Sequence, residues 1–376
     1  MIQLDALARV IDDVVAPAAP YVDESGEFPR VGIDALGEAG ILGLISATEV
    51  GGGGQGMDVA AAAIEQLAAA CASTAMIVMM HFSAVSIIEA HGPRDVREAI
   101  GAGKHLSTLA FSEVGSRSQF WAPLGTATRD GDAIRLDASK SWVTSAGEAT
   151  SYVWSSRPVD GNGPMSLWLV PSDSEGLKVT APFDGLGLRG NASSPIDAQG
   201  VRVPEAARLG DDGAGLDLAL TVVLPWFLVL NAAASVGMTR ATVSETSAHL
   251  ARTRFEHLEQ TLAQQLLPRV DFARMQLRTD QAAAFVADTL AAIGSGRADA
   301  QLRVLEVKAA AGEAAVDVTD EAMRVCGGAA FRKELGIERR FRDARAARVM
   351  APTTDALLDI VGRALFELPL LGDVTA

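Results

Sequence analysis

The feature that most constrains this chain is residues 108–156, a run of short strands. Leu106–Phe111 is extended and apolar, and Gly125–Arg129, Ala133–Asp137, Ser141–Thr144 and Tyr152–Ser156 follow it. Asp130-Gly131-Asp132 supplies a hairpin turn between two of them. Between the first two strands lies a loop of small and hydroxyl residues, Ser112, Gly115, Ser116 and Ser118. Such a loop presents backbone N–H groups and hydroxyls suited to a phosphate-bearing ligand. In Lys140-Ser141-Trp142-Val143-Thr144 a large flat aromatic stands two residues before a hydroxyl. On a regular strand those two side chains share a face. An indole to lie against a ring and a hydroxyl to bond its edge suit a flavin. A plain β-domain with a buried Trp is the competing reading of the same residues.

The rest of the 376 residues limits the function class. Apolar residues make up 49% and aromatics only 5%, which favours tightly packed helices. A net charge of −15, spread along the chain, argues against nucleic acid, whose phosphates need basic patches. Cys71 and Cys326 lie far apart in apolar surroundings and read as buried free thiols of a reducing compartment. No Cys/His cluster has metal-ligand spacing, so no metal is expected. The acidic start of MIQLDALARVIDD does not read as a signal peptide. Leu218–Leu230 is 13 residues without a charge, short of the roughly 18–20 that a span needs, and Pro225 interrupts it. A buried helix, no membrane and a cytoplasmic location are expected.

Helical spacing runs through residues 2–16, ended by Pro17, and through Val31–Ala39, Met57–Ala70 and Ser73–His91, and Pro93–Ala102 closes this first region. The glycine run 51–56 contains G-x-G-x-x-G, but no βαβ unit surrounds it and no acid follows at the right distance, so a flexible loop is the better reading. His81, among Met and Phe in the helix Ser73–His91, reads as a satisfied core histidine. Strands Ser166–Val170, Leu177–Thr180 and Asp197–Val203 close the β-region. Long helices over 214–252, 260–293 and 297–326, then shorter ones over 338–350 and 353–366, make a bundle.

Several of these segments together resemble the acyl-CoA dehydrogenase family. Ala110-Phe111-Ser112-Glu113-Val114-Gly115-Ser116-Arg117-Ser118 is similar to the family's (A/F)-(S/T)-E-P-G-x-G-S, and Lys140–Thr144 to its K-x-W-(I/V)-T. Arg252-Thr253-Arg254-Phe255 resembles R-x-x-F-G, with Glu256 in place of the glycine. Arg324-Val325-Cys326-Gly327-Gly328 resembles Q-x-x-G-G, with Arg324 in place of glutamine. Glu338–Arg345 resembles V-E-R-x-x-R-D-A. The resemblance implies an α+β fold with an N-terminal all-α domain over 1–105, a middle β-barrel-like, flavin-binding domain over 106–210, and a C-terminal four-helix bundle over 211–376. It implies FAD held by Phe111, Ser112, Gly115, Ser118, Trp142, Thr144, Arg252, Phe255, Arg324, Gly327, Gly328, Thr353 and Asp355. The arginine at position 252 would reach the FAD of a neighbouring subunit in a homotetramer or dimer. An electron acceptor or a flavin reductase would be a further partner.

The chain departs from the family at the chemistry. The family's R-(I/V)-x-E-G-T-(S/T) supplies the glutamate that takes the α-proton of the thioester. Here the segment is Arg348-Val349-Met350-Ala351-Pro352-Thr353-Thr354. The alternative glutamate of some members would fall at Trp226, and Phe227 stands where an arginine is common. Trp226, Phe227 and Ala351 are therefore expected to line the substrate pocket. Glu148 and Glu205 are the acids left as replacement bases, and both read as surface residues. General-base catalysis contributes on the order of 10²–10⁴-fold, so ordinary dehydrogenation should be slow. Three readings follow: a flavin oxidoreductase acting on an acyl thioester or related metabolite, an oxygen-using monooxygenase acting on an aromatic or amine with His81 and Ser112 near the flavin, and a non-catalytic paralogue.

Overall fold

The N-terminal helices follow the apolar spacing closely. A computed structural model describes residues 2–116 and 119–371, and Ser118 lies outside the described residues. The helices are α1 (Ile2–Val10), α2 (Ala16–Ser25), α3 (Arg30–Glu38), α4 (Met57–Ala70), α5 (Ala72–His91) and α6 (Arg94–Gly101). Pro17 does not end the first of them. A π turn over Ile11–Val15 precedes it and the proline falls in the first turn of α2, where no N–H is needed. The glycine run is a tight connector. Gly53, Gly54 and Gln55 donate their N–H groups to the carbonyls of Gly43, Ser46 and Leu44, so these donors are not free for a phosphate. A Cβ at Gly52 would come within 2.2 Å of the Ser46 carbonyl oxygen, which is why glycine stands there.

The middle region forms two sheets that face each other across one core. The strands are β1 (Ser107–Ala110), β2 (Thr126–Asp130), β3 (Ala133–Val143), β4 (Ser151–Ser156), β5 (Ser166–Pro171), β6 (Leu177–Val179) and β7 (Ser194–Pro204). The first sheet has the order β1-β4-β5 and the second β2-β3-β7-β6. Tyr152, Trp154 and Trp168 from one sheet meet Ile134, Leu136 and Ile196 from the other. The two strands expected over 133–137 and 141–144 are a single strand, β3, whose pairing with β7 slips between Leu136 and Ala138 and again between Lys140 and Val143.

Beyond it come α7 (Gly215–Leu218), a π turn over Ala219–Val223, and α8 (Leu224–Arg252). The short pair β8 (Arg254–Phe255) and β9 (Gln260–Thr261) and a 3₁₀ turn follow. They occupy the first residues of the helix expected over 260–293. A capping box between Thr261 and Gln264 closes that 3₁₀ turn, and Pro268 sits in the first turn of α9 (Leu266–Ser295). The chain continues through α10 (Ala300–Cys326), α11 (Ile337–Ala344), α12 (Ala346–Val349) and α13 (Thr354–Leu365). α8, α9, α10 and α13 form the bundle. Its core is continuous with that of the N-terminal helices: Ile64 and Leu67 of α4 and Ile77 and Val78 of α5 share one cluster with Leu228 and Val236 of α8 and Val307 of α10. Ala72–His91 and Gly215–Arg252 are long and apolar enough to cross a membrane, but 83% and 67% of their most apolar windows are buried within the fold. Both cysteines are free and buried.

Candidate active site

The site begins with a buried ion pair. Glu113 and Lys140 are 2% and 0% exposed at the side chain, with Nζ 2.6 Å from Oε1. The Lys140 ammonium also donates to the carbonyl oxygen and to Oγ of Ser155, at 2.7 and 2.8 Å. The second carboxylate oxygen accepts the backbone N–H groups of Leu124 and Gly125. Burial draws the Lys140 pKa down to about 8, against the opposing pull of the carboxylate. Sequence reading assigned these two residues no role of their own. Together they lock the loop after β1 onto β3, with Ser141 N–H donating to the Ser112 carbonyl at 2.9 Å.

That lock sets Phe111-Ser112 beside Ser141-Trp142. The register slip before Val143 leaves Trp142 at φ +56°, a conformation that a bulky side chain rarely adopts. Its indole is 71% exposed and forms one wall of a cleft. Strain of this kind in a large aromatic points to a binding function. The slip also overturns the expectation that Trp142 and Thr144 share a strand face. Thr144 lies past the end of β3, is buried, and its hydroxyl is 3.1 Å from that of Ser193.

The cleft has a volume of about 530 Å³, counting the part open to solvent, and lies where the three regions meet. α5 contributes Met80, β1 Leu109, the loop Phe111, Ser112 and Phe120, and the end of β3 Ser141 and Trp142. Ala219, Val223, Leu224 and Phe227 come from the π turn and α8, and Ala351 and Pro352 from the segment before α13. Phe111 and Phe120 stack with ring centroids 6.4 Å apart. Among the described residues, none that lines the cleft has a side chain that titrates. The expected residues Phe111, Ser112, Trp142, Phe227 and Ala351 thus meet in one place. Phe120, Met80 and Ser141 were not anticipated. The only signals for them were an adjacent aromatic pair, Phe120-Trp121, in an aromatic-poor chain, and their positions next to His81 and Trp142.

Other expectations are redirected. His81 is fully buried and outside the cleft lining. The Ser107 N–H donates to its Nδ1 at 3.0 Å, so the other nitrogen carries the proton and donates to the Leu42 carbonyl at 2.9 Å. Burial lowers its pKa to about 4. It is a neutral core histidine with no free nitrogen, and its neighbour Met80 faces the cleft instead. Trp226 packs against the helical core rather than lining the cleft. Arg324 is held by Asp271 at 2.9 Å and by Glu321. Arg252 ends α8 and is exposed, as are Phe255, Gly327 and Gly328, all outside the cleft. Gly115 is an exposed turn residue at φ +94°. Thr353 caps α13 by accepting the Ala356 N–H, and Asp355 lies exposed in that helix's first turn. Glu148 is paired with exposed Arg30, and Glu205 with exposed Arg129 and half-buried Arg208; both carboxylates are exposed and outside the cleft.

The cleft fits a flavin. A projecting indole gives a flat wall, Ser112 and Ser141 give hydroxyls beside it, and apolar and aromatic groups line the rest. Comparison with known proteins agrees. Three sequence models match in order: acyl-CoA dehydrogenase N-terminal domain over residues 2–102, middle domain over 108–201, and C-terminal domain over 213–366. A probable acyl-CoA dehydrogenase of Bacillus subtilis is 27% identical over 372 residues, covering 94% of each chain. A cyclohex-1-ene-1-carbonyl-CoA dehydrogenase of Geobacter metallireducens is 27% identical over 383 residues, covering 96% of each. Butyryl-CoA dehydrogenase from Megasphaera elsdenii has the same fold, with a TM-score of 0.90 at 22% identity over 97% of this chain and 98% of that one. The family's members are FAD-dependent flavoproteins and typically tetramers. Two helical regions flanking a two-sheet domain, matched along nearly the whole chain, have one conclusion: this flavin-dependent oxidoreductase belongs to the acyl-CoA dehydrogenase family.

Proposed function

We propose that this oxidoreductase acts on a small acyl thioester or a related metabolite and takes no proton with a side chain of its own. The observation that carries the reading is the cleft lining. Ala351, which by motif resemblance takes the place of the family's glutamate, lies in it, and among the described residues none of its neighbours there is an acid, a histidine or a lysine. Relatives named for short-chain acyl-CoA and cyclohex-1-ene-1-carbonyl-CoA substrates support the thioester class.

Bound FAD supplies the acceptor for a hydride. Trp142 gives the isoalloxazine a flat wall, and the hydroxyls of Ser112 and Ser141 offer hydrogen bonds to its polar edge. Phe111, Phe120 and Phe227 keep water from the reacting carbon. Substrates that suit such a site lose a group other than a proton with the hydride, or carry an electron pair that stabilises the centre left behind. Arg252, Phe255, Arg324, Gly327 and Gly328 lie on exposed surface, which suits contact with FAD of a second copy in a homotetramer or dimer. An electron acceptor or a flavin reductase completes the turnover. The monooxygenase alternative, acting on an aromatic or amine, keeps its apolar aromatic cleft but loses His81, whose two nitrogens are already bonded.

The test is anaerobic mixing of the FAD-loaded protein with a panel of acyl-CoAs. Bleaching of the flavin band is the expected result. A flavin that no thioester bleaches, but that returns through a transient peroxide-like absorbance when the reduced protein meets oxygen, would move the assignment to the monooxygenase. A chain that cannot be loaded with FAD would sink both readings.

A further inference from the structure

Lys308 of α10 is fully buried, and no carboxylate pairs with it among the described residues. Its ammonium instead donates to three backbone carbonyls: Ala347 at 3.0 Å, Met350 at 3.1 Å and Pro352 at 2.9 Å. An ammonium has three N–H bonds, and these three acceptors use all of them. The carbonyls belong to the end of α12 and the segment after it, where helical partners run out and the helix dipole favours a cation. The segment they enclose holds Ala351 and Pro352, two lining residues of the cleft. Gly312, one turn further along α10, lets α12 approach closely, since a Cβ there would lie 3.3 Å from that of Ala347. On the outer side Arg348 pairs with Glu313. An isolated buried cation is costly, and here only the carbonyls compensate it.

We propose that Lys308 is a positioning residue of the cleft: its ammonium gathers the carbonyls of Ala347, Met350 and Pro352 and so fixes the Ala351-Pro352 wall against which FAD and substrate are held, an inference that rests on the cleft being the flavin site. The clamp acts through the backbone. It therefore holds position 351 in place whatever side chain stands there.

Two variants test it: Lys308→Met, with no donor, and Lys308→Gln, with two. Amide hydrogen exchange is followed at about pH 6, below the value of about 7 to which burial lowers the lysine pKa. Each protein is then loaded with FAD and its visible circular dichroism recorded. Exchange over 346–354 should quicken by on the order of tenfold in the Met variant and less in the Gln variant, while α8 and α9 keep wild-type protection. The flavin dichroism should change in the same order, a signature that a purely structural lysine would not move. Exchange within about twofold of wild type in the folded Met variant overturns the proposal. So does faster exchange with an unchanged flavin spectrum, because the clamp would then not shape the cleft. Collapse of the whole fold in both variants also overturns it, by assigning Lys308 to global stability. If wild type takes up no FAD, the flavin-site reading fails and the cleft inference falls with it, while the exchange data still report whether the clamp exists.

Discussion

Replacing Glu113 by Gln isolates what the buried ion pair contributes. One carboxylate oxygen accepts from the Lys140 ammonium and the other from two backbone N–H groups. A glutamine has only one oxygen. In either orientation its NH₂ group faces a donor, Lys140 on one side or Leu124 and Gly125 on the other. Breaking one partner of a buried pair costs about 3–5 kcal/mol. The lysine has a way to limit the loss, since it can shed its proton. At pH 7 that costs about 1.4 kcal/mol per unit below the ordinary value near 10.4, or about 4.6 kcal/mol at most. A loss of about 3–4 kcal/mol in urea unfolding at pH 7 is therefore expected. The sign of its pH dependence also follows. The folded lysine already sits near 8, below its unfolded value, and loses more affinity for a proton without the carboxylate. The unfolded chain then binds more protons, so the deficit shrinks as pH rises from 7 to about 8 and levels off above, where the wild-type lysine has also shed its proton. Adding Lys140→Met should restore part of the loss, as the double-mutant cycle measures. A single-variant loss under about 1 kcal/mol, or a deficit that grows with pH, would refute the reasoning.

Trp142→Gly should have two effects of opposite sign. Relief of the positive φ should raise apo stability by about 1 kcal/mol in thermal unfolding, while loss of the indole weakens FAD binding by about tenfold in a fluorescence titration. Ala351→Glu should speed flavin reduction by a short-chain acyl-CoA by on the order of 10²-fold in anaerobic stopped flow, if the clamped wall still presents that position to the cleft. Folded-state pKa values near 4 for His81 and His105, below the unfolded value, mean that stability is lost as pH falls from about 6.5 to about 4. His81 accounts for about 3 kcal/mol of that loss, and a folded His81→Gln variant should show a correspondingly flatter dependence of urea midpoint on pH.

Much of the fold was legible because it rests on local periodicity. Apolar positions at helical spacing marked α4 and α5, and Asp130-Gly131-Asp132 marked the β2–β3 turn with Gly131 at φ +67°. The boundaries that went astray are those that capping or a wide turn decides: the π turn before Pro17 and the capping box before α9. For the site, the loop after β1, Trp142, Phe227 and Ala351 could be named from motifs and offsets alone. Trp226 could not be told from Phe227 by offset. A single step along α8 separates the cleft from the core, just as it separates Met80 from His81 on α5.

By itself the sequence determined the order of most helices and strands and the family, because each is written in neighbouring residues. Only the tertiary structure decided which side chains meet. It joined Glu113 to Lys140, turned Trp142 out of its strand, used both nitrogens of His81 inside the core, and brought Lys308 to the carbonyls beside Ala351, some 40 residues further along the chain. Burial and hydrogen-bond partners depend on residues distant in sequence, and local pattern carries no record of them.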